Sequence, residues 1–290
     1  MIASLLLIGV VNGTMLGLVF ALMAAGFNIG LGIARVINLY HGAMVVWSMY
    51  AVYLAWDLFG LSPVVSAIPT AVLAFGIGYV LQRYLVVRSL QAPEDNQILF
   101  ALGLLTAFQF LAQFVFTDDA YSVRDELLQG VLIIGTQVFQ VSMLSSALLA
   151  LVMLTCLHFL FSYTGLGRNL RACAQNTTGA HLSGLDVPHL YAVAMGISAA
   201  CAAVSGAAMA LFVSIYPGRA FEYTLLSVVV SVVGGLGSLM GSMLGGLIIG
   251  LVLTVCQVLG YGGVAQGVVY SFVFVIFLVR PAGMLGGRVN

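Results

Sequence analysis

The chain has 290 residues, 62% of them hydrophobic and 6% charged, with a mean hydropathy of +1.15. Soluble domains carry about 25% charged residues, so this composition excludes one and indicates a membrane-embedded protein. Nine basic residues balance nine acidic ones, which leaves no net charge to attract a nucleic acid.

All nine basic residues are arginines. A phosphate-binding loop needs a lysine to reach the outer phosphates of ATP, so the chain is not a P-loop ATPase by itself. Four cysteines, Cys156, Cys173, Cys201 and Cys256, lie far apart without metal-ligand spacing. They read as small apolar packing residues, and no cofactor is expected.

Met1 to Phe27 is apolar, follows no positive charge and is too long for the core of a signal peptide. It reads as a retained first span in a plasma or bacterial inner membrane. A spanning helix needs about 20 mostly apolar residues. Stretches of that kind run over Gly13–Ile33, Val36–Phe59, Val64–Leu85, Ile98–Phe116, Met143–Phe161, Leu190–Ser214, Met240–Leu259 and Val264–Val279. The apolar stretch Tyr223–Val233 is too short to cross alone and ends in Gly234-Gly235-Leu236-Gly237-Ser238. The expectation is an all-α polytopic bundle of about eight spans, with a broken or re-entrant helix at Gly234–Ser238. Such breaks are tolerated at membrane depth only against protein or a water-filled cavity.

Arginine placement sets the orientation. Arg35, Arg83, Arg88, Arg168, Arg171, Arg280 and Arg288 fall on one side if the N-terminus is outside and the C-terminus inside. The other side receives Asp118, Asp119, Arg124, Asp125 and Glu126, and the turn Pro217-Gly218-Arg219 with Glu222. Gly241-x3-Gly245, Gly246-x3-Gly250 and the stripe Ala199, Ala203, Ala207 suit close helix packing in a membrane.

Charges are absent from the middle of every predicted span; Asp57 lies near the outer end of its helix. Ion-coupled carriers usually keep a buried acid or histidine in a span, and only His41 and His158 are candidates. Serines 205 and 238 lack a G-x-S-x-G setting, and no H-E-x-x-H occurs, so the chain does not read as an enzyme. Asn38 and His41, three apart between the first two spans, share a face if helical. They suit either an interfacial belt of polar anchors or the lining of a pathway gate. Between two long apolar runs lies the polar stretch Thr164–Pro188. Asn169–Ser183 is predicted as one short helix with Leu170, Cys173, Thr177 and Ala180/His181 on one face, stopped at Gly184. A helix of this kind can enter a groove on a soluble partner.

Three segments carry a family resemblance: Asn12–Ala43, Gly165–Val187 and Ser227–Gly250, the last followed by Arg280-Pro281-x-Gly283. In this order they resemble the branched-chain amino acid ABC permeases of the LivH type, and the urea and short-amide permeases share the same signatures. The resemblance implies a single permease domain over 1–290, with residues 164–188 as a cytoplasmic coupling loop. It implies a second homologous permease, two cytoplasmic ATPases, a periplasmic solute-binding protein and a small-molecule substrate as partners. Carried onto this chain, coupling to the ATPase falls to Arg168, Arg171, Gln175, Asn176, Ala180, Leu182 and Gly184. The family loop has Pro-Glu where this chain has Thr177-Thr178, so an acidic contact to the ATPase is missing. Asn38, His41, Gly234, Gly235, Gly237 and Ser238 are the pathway or gate candidates. A stand-alone secondary carrier is the rival class, separable by whether uptake needs ATP or an ion gradient. The acidic loop Asp118–Glu126 and the Arg219/Glu222 turn are candidates for docking the binding protein, with a plain solvated loop as the alternative.

Overall fold

A computed structural model of the chain describes residues 2–89, 93–126, 128–134, 137–280 and 283–285. Met1, Pro281 and Arg288, invoked above, lie outside them. Among the described residues, eight helices are long and apolar enough to cross a membrane.

Helix α1 (Ile2–Ile29) widens into a π-helical turn at Gly30–Ala34, and α2 (His41–Phe59) follows after an irregular stretch. Gly60 ends α2 in the left-handed conformation (φ 63°), and Pro63 opens α3 (Pro63–Val80) at a first-turn position, where its missing N–H costs nothing. A second π turn (Leu81–Val86) carries α3 into the short α4 (Val87–Ser89); α5 (Glu94–Phe116) then starts after Pro93. Two strands, β1 (Val131–Ile134) and β2 (Gln137–Gln140), pair antiparallel before α6 (Val141–Tyr163). The expected all-helical bundle therefore stands, with a small hairpin appended to one of its connections.

After α6 come two short helices, α7 (Gly165–Gln175) and α8 (Thr177–Leu182), then α9 (Val187–Ala210), α10 (Arg219–Gly234), α11 (Leu239–Val258) and α12 (Ala265–Val279). The single helix expected over Asn169–Ser183 is thus two. Asn176 adopts an extended conformation (φ −146°, ψ 98°), and its side chain caps α8 by accepting from Gly179 N at 2.8 Å. Asparagine satisfies a free helix N-terminus better than it continues a helix, which explains the break.

The centre of the bundle is α9, whose apolar window is wholly buried. Its surface of small residues, including Ala199, Ala203 and Ala207 at 0% exposure, lets α1, α2, α3 and α6 approach its backbone. Lipid tails offer no hydrophobic drive for helices to associate, so such close contact supplies the packing energy. The pairing of α1 with α11 works the same way. A Cβ on Gly17 would lie 2.8 Å from Leu247 Cα, and one on Gly13 would lie 2.9 Å from Leu251 Cα. By contrast α12 and α5 present mostly exposed apolar faces, as befits helices bathed in lipid or covered by another subunit.

Packing sorts the connections between two ends. At one end the π turn of α1 lies against α7, and the end of α3 with its following π turn packs on α9, where the Tyr79 hydroxyl lies 3.0 Å from His189 Nδ1. Backbone N–H groups of Met284 and Leu285 donate to Val233 and Gly234 carbonyls there. This end gathers the neighbourhoods of Arg35, Arg83, Arg88, Arg168, Arg171 and Arg280. At the opposite end Tyr121 pairs with Ile215 through reciprocal backbone hydrogen bonds. An aromatic cluster pins that bridge: Tyr50 stacks on Phe116 (centroids 3.9 Å apart, 7° between planes), and Tyr53 meets Tyr121 edge-on at 5.0 Å. The acidic loop and the Arg219 turn belong to this end.

Candidate functional site

Two breaks in the bundle face each other at the arginine-bearing end. The first is the end of α1, where Gly30–Ala34 takes the wide π turn and Arg35 turns left-handed (φ 55°). The second is the glycine run after α10, where Gly235 (φ 117°) and Gly237 (φ 76°) hold conformations that side-chain-bearing residues rarely adopt. Gly32 and Gly237 touch across the gap; a Cβ on Gly32 would lie 3.2 Å from Gly237 Cα.

Asn28 joins the two breaks. Its side chain is buried, its Nδ2 donates to Ser242 Oγ at 2.7 Å and to the Ser238 carbonyl at 3.3 Å, and its Oδ1 accepts from Gly237 N at 3.0 Å. Ser238 meanwhile caps α11 by accepting from Gly241 N at 3.0 Å. The carbonyls that α10 leaves free at its end are taken up by residues 284 and 285, which answers the unpaired-terminus problem of a helix that stops inside protein.

Beside this clasp opens a cavity of about 380 Å³. Asn28, Gly32, Gly237 and Ser238 line one side, His158 and Phe161 of α6 another, and Arg171 and Ala174 of α7 close it. Gly237, Ser238 and Arg171 of the predicted set thus share one space, whereas Gly234 and Gly235 lie buried behind it.

Asn38 and His41 sit elsewhere, and they do not share a helical face. Asn38 lies in the irregular stretch before α2, His41 is the first residue of α2, and a turn bond from His41 N to Asn38 O (3.2 Å) links them. The expected helical continuity fails because the left-handed Arg35 reverses the chain. Both side chains are fully buried. The His41 ring meets Phe27 edge-on at 6.0 Å and places Nε2 3.0 Å from the Met23 carbonyl. Met23 and Phe27 belong to the interior of α1, so α2 begins within the depth of the bundle and not at its rim. Neither amide atom of Asn38, nor Tyr40 Oη, nor His41 Nδ1 has a hydrogen-bond partner among the described residues. Each such buried group costs about 1–3 kcal/mol. These groups cluster beside the broken end of α1. Nearby, Gly42 N donates to Thr224 Oγ1 (3.1 Å), which donates in turn to the Leu39 carbonyl (2.8 Å), tying the break to α10.

The α7–α8 pair lies across the arginine-bearing end. Thr164 caps α7 by accepting from Gly167 N at 3.0 Å, and Gly167 presses on α6, where an added Cβ would lie 2.6 Å from Phe161 Cα. Leu170, Cys173 and Ala180 are buried against the bundle. Burial pushes the Cys173 thiol up from its ordinary range, against weaker opposite pulls from Tyr191 and Arg35. Arg168, Arg171, Gln175, Asn176, Leu182 and Gly184 are exposed, Leu182 at 85%. Ala180 therefore anchors the segment while the others form its outward surface. Among the described residues no three His, Cys, Asp or Glu side chains gather as metal ligands.

Asn28 is the residue sequence reasoning passed over. A lone asparagine inside a long apolar run was its signal.

Comparison with known proteins gives the family of the chain. The family profile described as branched-chain amino acid transport system, permease component, matches residues 9–278. The chain is 27% identical over 295 residues to the high-affinity branched-chain amino acid transport system permease protein BraD of Pseudomonas aeruginosa, covering 95% of this chain and 94% of that one. It is similarly 27% identical to LivH of Salmonella typhimurium and 26% identical to LivH of Escherichia coli K12, each over 293 residues with the same two shares. No solved structure matches.

Proposed function

Because the chain belongs to the family of permease components of branched-chain amino acid transport systems, a multi-pass membrane protein without catalysis of its own, we propose that it carries branched-chain amino acids inward. Its partners in this reading are a second permease, two ATPases on the arginine-bearing side and a soluble binding protein on the other. The positive-inside rule then sets the N-terminus outside and the C-terminus inside a bacterial inner membrane.

One observation carries the mechanism. The α7–α8 segment has an exposed polar surface, yet its other face touches the end of α6, the π turn of α1 and the cavity held by Asn28. Force applied to Arg168, Gln175 or Leu182 by a closing ATPase pair would therefore reach the π turn of α1 directly, and the glycine turn through Gly32 and Asn28. Displacement of α7 would move Arg171 and Ala174 at the mouth of the cavity and shift the α1 break against the glycine turn. Two glycine-jointed breaks are the kind of joint about which a bundle could rock between the two arrangements that alternating access requires. No lysine-bearing phosphate loop exists in the chain, so the energy comes from the partners.

Co-reconstitution tests this. Vesicles holding the chain with the permease, ATPases and binding protein encoded beside it should accumulate radiolabelled leucine only with internal ATP. Uptake by this chain alone, driven by an ion gradient and indifferent to ATP, would make it a secondary carrier instead. Accumulation of urea without leucine would change the substrate and leave the mechanism.

A further inference from the structure

At the end opposite the coupling helices, α1, α6, α10, α11 and α12 surround a second cavity of about 400 Å³, a size that suits a small ligand. Leu16, Phe20, Leu226, Leu253 and Val269 give it an apolar wall, Gln257 and Gln266 add polar groups, and Arg219 and Glu222 of α10 supply opposite charges. Three residues apart, the two side chains leave one helical face about 5–6 Å from each other.

They are nonetheless held apart. Arg219 stands over the Tyr216 ring at 4.9 Å and donates from Nη1 to the Tyr223 hydroxyl at 3.3 Å. Its Nε is buried and has no hydrogen-bond partner among the described residues. Glu222 Oε1 accepts from Gln266 Nε2 at 2.9 Å. Each charge is positioned by its own neighbours, with donor and acceptor capacity left over.

We propose that Arg219 and Glu222 form a recognition site for the zwitterionic head of an α-amino acid, and that the apolar wall takes its branched side chain. The guanidinium accepts the carboxylate, for which its planar fork is suited, and Glu222 takes the ammonium. This inference rests on the importer reading and deepens it, since a neutral urea or amide has no use for two opposite charges. It also moves Arg219 and Glu222 from a docking surface for the binding protein to the substrate.

Binding to the assembled transporter in lipid nanodiscs, without the binding protein, tests the site. The probes are radiolabelled leucine, leucinamide without the carboxylate, and 4-methylpentanoate without the ammonium. Arg219→Gln should weaken leucine at least about tenfold while barely affecting leucinamide. Glu222→Gln should do the same for leucine against 4-methylpentanoate. Arg219→Lys and Glu222→Asp, which keep the charges, should restore much of each preference. Equal loss for both members of a pair, as a structural role predicts, overturns the site, and so does unchanged leucine affinity. Either result alongside normal leucine uptake by the wild-type transporter removes the site and spares the importer reading. Wild-type uptake of urea in place of leucine removes the site and changes the substrate, and leaves the coupling mechanism standing.

Discussion

Asn28 accepts a 3.0 Å hydrogen bond from the backbone of Gly237, across 209 positions of sequence, and so fastens the break in α1 to the break after α10. With the bonds to Ser238 and Ser242, one amide side chain satisfies three groups of the glycine turn and the first turn of α11. Asn28→Ala should leave Gly237 N and Ser242 Oγ without this partner; because Ser242 Oγ keeps its bond to the Ser238 carbonyl at 3.0 Å, the cost should be about 1–3 kcal/mol. Asn28→Asp keeps the acceptor for Gly237, loses the donor and adds a charge inside the bundle. Both variants should melt earlier than wild type in detergent and lose leucine uptake. An Asn28→Ala transporter with wild-type melting and transport would deny the clasp any role.

Gly235 tests the other half of the same joint. Its φ of 117° lies where only glycine is at ease, and Gly283 packs against it so closely that a Cβ there would lie 2.6 Å from Gly235 Cα. Gly235→Ala is strained by about 1–2 kcal/mol, and Gly235→Leu adds bulk against the segment that caps α10. Both should reach the membrane at wild-type abundance, because insertion is decided by the long apolar spans, while transport falls, most for leucine at this position. Wild-type uptake by Gly235→Leu would take the glycine turn out of the mechanism.

The spans were legible because the bilayer imposes a length on apolar sequence, and each predicted run overlaps an observed helix, although the first helix begins well before Gly13. The glycine turn was legible for a similar reason: Gly234, Gly235 and Gly237 in close succession cannot continue a helix. What composition could not reveal was depth. By sequence, Asn38 and His41 suit a belt of interfacial anchors as well as a gate lining, yet both are fully buried, since nothing local encodes that α2 begins beside Met23 and Phe27 of α1. Asn176 did carry a local signal, an asparagine followed by two threonines and a glycine, which fits a cap better than a helix interior. The hairpin was likewise announced by Val131–Ile134 and Gln137–Gln140 flanking a glycine-containing pair. The charged cavity was not legible, because Gln266, Leu16 and Arg219 meet only in three dimensions.

Cys173 reports whether α7 stays docked. It is buried, and its thiol is shifted upward by that burial, so iodoacetamide should alkylate it far more slowly than a cysteine introduced by Arg168→Cys on the exposed face. The sign of the linkage follows. A thiol whose folded pKa exceeds its unfolded one stabilises the docked helix fully below the ordinary thiol range, and loses that contribution as pH climbs through the raised value. Labelling of Cys173 should accordingly rise at alkaline pH with loss of the docked state, as read by mass spectrometry of the alkylated peptide. Rapid labelling at neutral pH, matching the exposed reference, would mean that α7 does not pack as described.

Leu182 is a large apolar side chain at 85% exposure on the segment proposed to meet the ATPases, where it could serve as an anchor of that interface. Leu182→Asp should spare folding, because nothing in the bundle touches it enough to bury it. It should weaken capture of the ATPases by about 2 kcal/mol, the order of one anchoring residue at an interface, and reduce substrate-stimulated ATP hydrolysis in step. Leu170→Asp provides the contrast: Leu170 is fully buried, so a charge there must unseat α7 and lower the melting temperature as well. Thermal melting of the chain and co-purification of the ATPases separate the two. If Leu182→Asp bound the ATPases as well as wild type, the exposed face of α7–α8 would not be their dock, and the route from this surface through Arg171 to the Asn28 clasp would have no source of force.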